Sequence, residues 1–249
     1  MSDSKPISPE RRIVLVTGAS RGIGRAAARE LARRGAHVLC LARTVGALEE
    51  LDDEVRAEGG ACSLIPADLT DEDTVTRLPA ALAERFGRLD ALVLNAGTLG
   101  ELTPVTDIDG KTWSNALEVN VTANWRLLAG LDPLLRLSDA GRVVGITSSR
   151  ARKYVPFWTT YSASKAAFEA LLLTYAAERA ETKIRTNLID PGPIATGMRA
   201  KAMPGEDQDT LAQPEDLAPL IADVAGEGFT ENAARLSFKE WTSEKGEQE

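Results

Sequence analysis

The sequence alternates short apolar runs with amphipathic segments of helical period. Runs such as His37–Leu41 and Val143–Thr147 are shorter than typical helices and are bounded by polar or glycine-containing turns. The longer segments between them repeat apolar residues at helical spacing. This pattern is typical of βα units whose parallel strands are covered by helices on both faces. It predicts an α/β fold: one doubly wound domain with a parallel sheet of about seven strands and helices on both faces.

Individual elements follow from the same periodicity. The predicted strands are Ile13–Val16, His37–Leu41, Ala61–Ile65, Ala91–Leu94, Val143–Thr147, Arg185–Ile189 and Arg235–Phe238. The predicted helices are Ile23–Arg34, Val45–Glu58, Asp71–Phe86, Trp113–Leu137 and Tyr161–Ala180. Residues 193–214 are rich in glycine, proline and acidic residues, and long irregular segments in compact domains are usually functional lids or disordered. Residues 1–11 and 242–249 are expected to be flexible ends.

Composition excludes several classes of function. A net charge of −8 argues against a nucleic acid or an anionic membrane as the main partner. The only histidine, His37, lies at the start of a predicted strand, which argues against histidine-dependent triads and metal sites. Cys40 and Cys62 lack Cys-x-x-Cys spacing, so we expect packing rather than disulfide or zinc binding. With no secretory pattern and no apolar run of about 18 residues, the sequence predicts a cytoplasmic protein with a small-molecule partner and no metal.

A glycine-rich loop follows the first predicted strand and opens a helix. It reads Thr17-Gly18-Ala19-Ser20-Arg21-Gly22-Ile23-Gly24. Glycines allow a tight turn and close approach of backbone to a ligand, while the N–H groups of a helix start favour a pyrophosphate. The alternative is a βα turn that binds nothing. The spacing is G-x-x-x-G-x-G, which differs from the common dinucleotide pattern G-x-G-x-x-G.

Tyr161 and Lys165 form a second candidate site. Residues four apart share a face of a helix, and the polar segment Thr147–Ser149 lies just upstream. An ordinary phenol has a pKa near ~10, and a nearby ammonium favours the phenolate. We therefore expect Lys165 to lower the pKa of Tyr161 toward the range of efficient acid–base catalysis. Such pairs also arise by chance in helical sequences.

Together these motifs resemble the short-chain dehydrogenase/reductase family. Asn95-Ala96-Gly97, Asn120, Ser148 (13 residues before Tyr161) and Pro191-Gly192-Pro193 follow in the family's order. The resemblance runs from about Ile13 to Met198 and is greatest to the YciK-like oxidoreductases. It implies one Rossmann domain, spanning residues 1–249, that binds a dinucleotide and catalyses hydride transfer between a nicotinamide and a carbonyl or alcohol carbon. It also implies a homodimer or homotetramer.

The resemblance assigns roles to four residues. Tyr161 would exchange a proton with the substrate oxygen, and Lys165 would lower the phenol pKa and bind the nicotinamide ribose. Ser148 would hydrogen-bond the same oxygen; Ser149 competes for this role, but the 13-residue offset selects Ser148. Asn120 would anchor a water that connects Lys165 to solvent. A polar strand end for Ser148 and a helix-interior hydrogen bond for Asn120 are the structural alternatives.

NADP(H) is favoured over NAD at the end of the second strand. An NAD site places an acid there, whereas this chain reads Leu41-Ala42-Arg43-Thr44, and Arg21 offers a second cation for a 2′-phosphate. Asp68 would bind the adenine or cap the following helix, and these two roles remain open. The full set of expected cofactor contacts is Gly18, Ser20, Arg21, Gly22, Ile23, Gly24, Arg43, Asp68, Leu69, Asn95, Ala96, Gly97, Tyr161, Lys165, Pro191, Gly192, Ile194 and Thr196.

The substrate side is expected to be mostly apolar. Val155, Phe157 and Trp158 would wall the pocket, and residues 193–214 would form a substrate lid. Leu99, Met198 and Met203 are further lid candidates. Two other functions stay open: reduction of a 3-oxoacyl group on an acyl carrier protein, which the acidic chain disfavours, and a non-catalytic NADP-binding regulatory role.

Overall fold

A seven-stranded parallel sheet forms the centre of the computed structural model, which describes residues 11–246. Its strand order is β3-β2-β1-β4-β5-β6-β7. The strands are β1 (Ile13–Thr17), β2 (His37–Ala42), β3 (Ala61–Pro66), β4 (Ala91–Leu94), β5 (Arg142–Ile146), β6 (Arg185–Asp190) and β7 (Arg235–Ser237). The predicted doubly wound α/β fold is confirmed.

Nine α-helices are described within residues 11–246, and most of them flank the sheet. They are α1 (Gly22–Arg33), α2 (Val45–Ala57), α3 (Glu72–Phe86), α4 (Gly110–Leu117), α5 (Ala123–Leu135), α6 (Thr159–Glu178), α7 (Gly197–Ala202), α8 (Pro214–Ala225) and α9 (Phe238–Gly246). Helices α1, α2, α8 and α9 pack on one face of the sheet. Helices α3, α5 and α6 pack on the other. In this part of the chain no helix is long and apolar enough to cross a membrane.

The central strands are apolar along their whole length because helices cover both faces. Every residue of β1, β2, β4 and β5 is buried. Strand β3 lies at the edge of the sheet, and its residues are only half-buried or exposed, so the expectation of a buried strand is wrong there. Cys62 is consequently half-buried, whereas Cys40 on β2 is fully buried; both are free thiols.

A crevice forms where the strand order reverses. Strand β1 pairs with β2 on one side and with β4 on the other, so the loops after β1 and β4 diverge at their carboxyl ends. Ligands of open α/β sheets bind at such a switch point. The glycine loop follows β1, and Asn95 follows β4. His37 begins β2 at the opposite end of the sheet, where its ring packs on Phe86.

The structure corrects several predicted boundaries. The predicted helix Trp113–Leu137 begins at Gly110 and is interrupted by a π-helical turn at Glu118–Thr122. Residues 193–214 contain α7 and a 3-10 turn (Gln208–Thr210). Helix α8 is absent from the prediction, although Pro214 at its first turn and the capping box of Gln213 with Asp216 signal a helix start.

The structure describes part of the predicted C-terminal tail and almost none of the predicted N-terminal one. Helix α9 runs to Gly246 and so includes the first part of the predicted tail 242–249. It begins at Phe238, so β7 ends at Ser237, one residue earlier than predicted. Residues 1–10 and 247–249 lie outside the described residues.

Candidate active site

The glycine loop forms a tight turn between β1 and α1. Gly18 and Gly22 have φ angles of +67° and +53°, the left-handed region that favours glycine. A Cβ at Gly24 would lie 2.3 Å from the carbonyl oxygen of Gly18, so a side chain there would block the approach of the helix to the turn. Arg21 is exposed at the N-terminus of α1, between the half-buried Ser20 and Ile23. The free N–H groups of this helix start fit a pyrophosphate.

Asn95 holds the glycine loop from the neighbouring strand. Its Nδ2 donates to the carbonyl oxygen of Thr17 at 2.9 Å, and its backbone N–H donates to Thr17 Oγ1 at 3.0 Å. The backbone N–H of Ala96 donates to the same hydroxyl at 3.0 Å. These bonds link the ends of β1 and β4, so Asn95 and Ala96 shape the predicted cofactor crevice.

Arg43 and Asp68 lie together at the ends of β2 and β3. Arg43 Nη1 is 3.5 Å from Asp68 Oδ2, and both side chains are substantially exposed. Asp68 also accepts bonds from the backbone N–H and hydroxyl of Thr70, which are the main reason that its pKa is lowered. The N-cap of α3 is Asp71, so Asp68 shapes the turn before that helix and does not cap it. Leu69 is buried in the core.

Residues 191–196 lie over the glycine loop. Gly192 has a φ of +66°, and its backbone N–H donates to Asp190 Oδ1 at 3.1 Å. A Cβ at Gly22 would lie 3.3 Å from Thr196 Cγ2, so these two segments are in close contact. Thr196 is the N-cap of α7, and Ile194 is buried and bridges to Ala212. The half-buried Pro191 begins the segment directly after β6.

Tyr161, Lys165 and Ser148 come together at the carboxyl end of β5. Lys165 Nζ lies 5.9 Å from the centroid of the Tyr161 ring and donates to the carbonyl oxygen of Ile146 at 2.8 Å. The Ser148 hydroxyl lies close enough to the Tyr161 phenol to lower the pKa of that phenol. Ser149 begins a 3-10 turn, and Ser148 caps this turn by accepting from the backbone N–H of Arg150. The three residues therefore form one cluster, as the sequence predicts.

Burial sets the proton affinities of this pair. It raises the pKa of Tyr161 to about 12; the Ser148 hydroxyl lowers the pKa and the charge of Asp190 raises it. Burial also lowers the pKa of Lys165 to about 8, against the opposing effect of Glu169. The expectation that Lys165 brings the phenol pKa below its ordinary value is wrong for this structure. The physical reason is that desolvation of the phenol, with the charge of Asp190 acting in the same direction, outweighs the opposing effect of Ser148.

Asn120 lies in the π-helical turn between α4 and α5. Its Oδ1 accepts from the backbone N–H of Thr98 at 2.8 Å, and its Nδ2 donates to the Thr98 carbonyl and to Ser164 Oγ, each at 2.9 Å. The side chain is therefore engaged in protein hydrogen bonds. A Cβ at Gly97 would lie 3.2 Å from Asn120 Oδ1 and 3.6 Å from Lys165 Nζ, so glycine keeps this space open beside the lysine. π-Helical turns often occur at functional sites.

Residues 12–207 match the family model for short chain dehydrogenases. This range includes every candidate site residue described above. The chain belongs to the short-chain dehydrogenase/reductase family. It is an oxidoreductase of that family.

Three relatives illustrate the similarity. The chain is 37% identical to the uncharacterised oxidoreductase YciK of Escherichia coli, with 87% of this chain and 86% of that protein covered. It is 34% identical to a short chain dehydrogenase of Shigella flexneri solved in complex with NADP, with a TM-score of 0.88 over 94% of this chain and 100% of that one. An uncharacterised NAD-dependent oxidoreductase of Mycobacterium tuberculosis is 37% identical over 75% of this chain and 73% of that protein.

The predicted substrate side of the candidate site is partly apolar. Leu99, Tyr161 and Ala202 form a buried cluster, with Leu102 and Trp158 packed against it. The other predicted wall and lid residues are more exposed than this cluster: the exposed fractions of Val155, Phe157, Met198 and Met203 are 38–53%. These residues lie outside this cluster and form the outer surface around the site.

Glu169 is a buried acid beside the candidate site that no sequence motif identifies. It lies one helical turn beyond Lys165 and is only 4% exposed. Its carboxylate accepts from Thr147 Oγ1 at 2.8 Å and from Arg235 Nε at 3.1 Å, and Arg152 is 3.8 Å away. The signal was available, because a residue four positions after Lys165 shares its helix face.

Proposed function

We propose that this chain catalyses NADP(H)-dependent hydride transfer between the nicotinamide and a carbonyl or alcohol carbon of a small substrate. The observation that carries the proposal is the cluster of Tyr161, Lys165 and Ser148 at the crevice of the sheet. It combines a phenol that interacts with the Ser148 hydroxyl and an ammonium 5.9 Å from the centroid of the phenol ring. This arrangement can exchange a proton with a substrate oxygen and stabilise the resulting charge.

Each side chain has a distinct task in carbonyl reduction. The bound cofactor supplies the hydride that adds to the carbonyl carbon. Tyr161 donates its phenol proton to the oxygen, which develops alkoxide character, and Ser148 donates a hydrogen bond to that oxygen. The phenol keeps its proton throughout the neutral range because its pKa is about 12. Lys165 stabilises the phenolate left behind, and Asn120 supports the Gly97–Thr98 backbone beside the lysine.

The residues of the crevice fit a phosphorylated dinucleotide. Left-handed Gly18 and Gly22 and the start of α1 suit the pyrophosphate. Arg21 and Arg43 are exposed cations at the expected position of the ribose, where β2 ends without an acid. We therefore favour NADP(H) over NAD, and the NADP-bound relative supports this preference.

A surface groove and the two free thiols bear on the assembly and location of the enzyme. A groove between α5 and α6 is lined mostly by apolar residues such as Trp125, Leu128, Ala129 and Ala170, together with the charged residues Asp132, Glu178 and Arg179; Trp125 is 53% exposed. We propose that a second copy covers this groove in a homodimer, and that a homotetramer would need further surfaces. Both cysteines are free thiols, as is usual in reducing compartments, and we assign the enzyme to the cytoplasm.

Oxidation of NADPH, followed by absorbance with a panel of aldehydes and ketones, tests the proposal. We expect turnover by the wild type and a loss of at least about 100-fold in Tyr161→Phe, since a positioned acid contributes roughly that much. NADPH affinity, measured by fluorescence titration, should change little. Turnover of Tyr161→Phe at the wild-type rate would remove the phenol from the mechanism. NADPH binding without turnover of any carbonyl or alcohol would favour the regulatory alternative.

A further inference from the structure

A stack of three side chains leads outward from the candidate phenol. The ring of Trp158 meets the ring of Tyr161 edge-on, with centroids 5.9 Å apart and an interplanar angle of 69°. The guanidinium carbon of Arg150 lies 4.9 Å from the centroid of Trp158. The backbone N–H of Arg150 donates to Ser148 Oγ at 3.2 Å, which fixes the start of this side chain beside the site. Arg150 is therefore anchored next to Ser148 and separated from the phenol by one indole ring.

The charge of Arg150 has no acidic partner in residues 11–246. Its side chain makes the contact with Trp158 and no ion pair there, although Arg150 is half-buried. Two other arginines differ: Arg152, two residues along the chain, lies 3.8 Å from Glu169, and Arg199 lies 2.5 Å from Glu206. A cation–π contact orients a guanidinium without neutralising it. Arg150 therefore keeps N–H donors available for an anion.

The space beside this stack is apolar near the phenol. Trp158 packs with Leu99, Leu102 and Ala202 around Tyr161. The indole of Trp158 lies against both the Tyr161 ring and the Arg150 guanidinium. Arg150 is thus suited to the end of a substrate remote from the reacting oxygen. The order from the site outward is a phenol, an apolar wall and a cation.

We propose that Arg150 is a specificity-determining residue that binds a carboxylate of the substrate. The substrate class is a carbonyl acid, or the corresponding hydroxy acid, in which a short apolar ring or chain separates the two groups. A guanidinium forms paired hydrogen bonds with a carboxylate, and the stacked indole holds the fork in place. This inference rests on the proposed hydride transfer and deepens it.

Paired aldehydes of equal shape test the inference. NADPH oxidation is measured with 4-carboxybenzaldehyde and with methyl 4-formylbenzoate, for the wild type and for Arg150→Met. Methionine keeps an apolar stem against Trp158 and removes the charge. We expect the wild type to favour the acid by about tenfold or more in kcat/KM, mainly through KM, as for a hydrogen bond to a charged group. Arg150→Met should lose this preference and reduce the ester within about twofold of the wild type.

Lys153→Met is the matched control, because Lys153 is an exposed cation of the same segment. It should leave the acid preference unchanged. A wild type that favours the ester, an equal loss of both activities in Arg150→Met, or an equal effect of Lys153→Met would overturn the inference.

A binding measurement separates this inference from the proposed function. Calorimetry compares 4-(hydroxymethyl)benzoate and its methyl ester on the NADP⁺-loaded protein. Acid-selective binding that Arg150→Met abolishes, without turnover of either aldehyde or of any other carbonyl compound or alcohol in the panel, would support the carboxylate site and overturn the proposed reaction. Reduction of other carbonyl compounds without acid-selective binding would support the proposed reaction and overturn the carboxylate site.

Discussion

Arg235 on the last strand donates a hydrogen bond of 3.1 Å to the buried carboxylate of Glu169 on α6. The acid lies one turn beyond Lys165, and its charge raises the pKa of that lysine against the larger effect of burial. Arg235 partly offsets the same negative charge. The two residues therefore act in opposite directions on the lysine of the candidate site.

We expect Glu169→Gln to move the alkaline limb of carbonyl reduction to lower pH. In the wild type this limb should fall near pH 8, where Lys165 loses its proton. Without the Glu169 charge the lysine pKa falls further, and we expect a shift of about one pH unit. Arg235→Met should move the limb the other way, because the Glu169 charge then keeps Thr147 and Arg152 as its partners but loses this arginine. The measurement is kcat/KM against pH, with Glu181→Gln as an exposed control. Shifts of the same sign in Glu169→Gln and Arg235→Met would contradict the opposing effects of the two residues on Lys165.

Burial of Lys165 also predicts a pH-dependent stability. Its pKa in the folded protein is about 8, below the ordinary value of 10.5, so the unfolded chain binds more protons between these pH values. Wild-type stability should therefore rise relative to Lys165→Met from about pH 8 to about pH 10.5, by on the order of 3 kcal/mol. Urea unfolding of both proteins without cofactor, across this range, gives the difference. A constant difference would mean that the buried amine titrates normally.

Arg43 should control the choice of nicotinamide. We expect Arg43→Asp to reduce the preference for NADPH over NADH by about 10- to 100-fold, since hydrogen bonds to charged groups contribute roughly 1.5–3 kcal/mol. The measurement is the ratio of kcat/KM for the two cofactors. Arg77→Asp, which changes another exposed arginine, is the control. An unchanged ratio would show that the 2′-phosphate is held elsewhere, with Arg21 the next residue to replace.

The groove between α5 and α6 predicts the effect of one surface charge. Trp125→Glu introduces an acid into the proposed dimer contact, and we expect monomers in light scattering at concentrations where the wild type is dimeric. Leu137→Glu changes an exposed apolar residue, 66% exposed, that does not line the groove. It should leave the dimer intact. A wild-type monomer would remove the groove as a contact between copies.

The sequence predicts the sheet and the candidate site because their signals are local. Apolar runs identify β1, β2, β4 and β5, which are buried on both faces. The four-residue spacing of Tyr161 and Lys165 identifies their shared helix face. The position of the glycines after β1 identifies the turn, because the left-handed φ of Gly18 and Gly22 depends on residue type.

Other features depend on contacts that sequence spacing does not contain. The raised pKa of Tyr161 results from burial by neighbours distant in the chain. The π-helical turn around Asn120 depends on its hydrogen bonds to Thr98 and Ser164. The pairing of Glu169 with Arg235 joins two segments that carry no common motif. Helix α8 is a different case. Its start signals, Pro214 and the capping box of Gln213 with Asp216, are local, but the proline- and glycine-containing segment before it is typical of a loop.

The bond between Glu169 and Arg235 has a consequence for synthesis on the ribosome. Helix α6 emerges well before its counterion, because 66 residues separate the two partners. A nascent chain that has assembled β1 to β6 holds the Glu169 carboxylate with Thr147 and the more distant Arg152 but without Arg235, and an incompletely paired buried charge is costly. We therefore expect α6 to dock firmly only after β7 has been translated, so that the proton-transfer centre matures as one of the last events of folding.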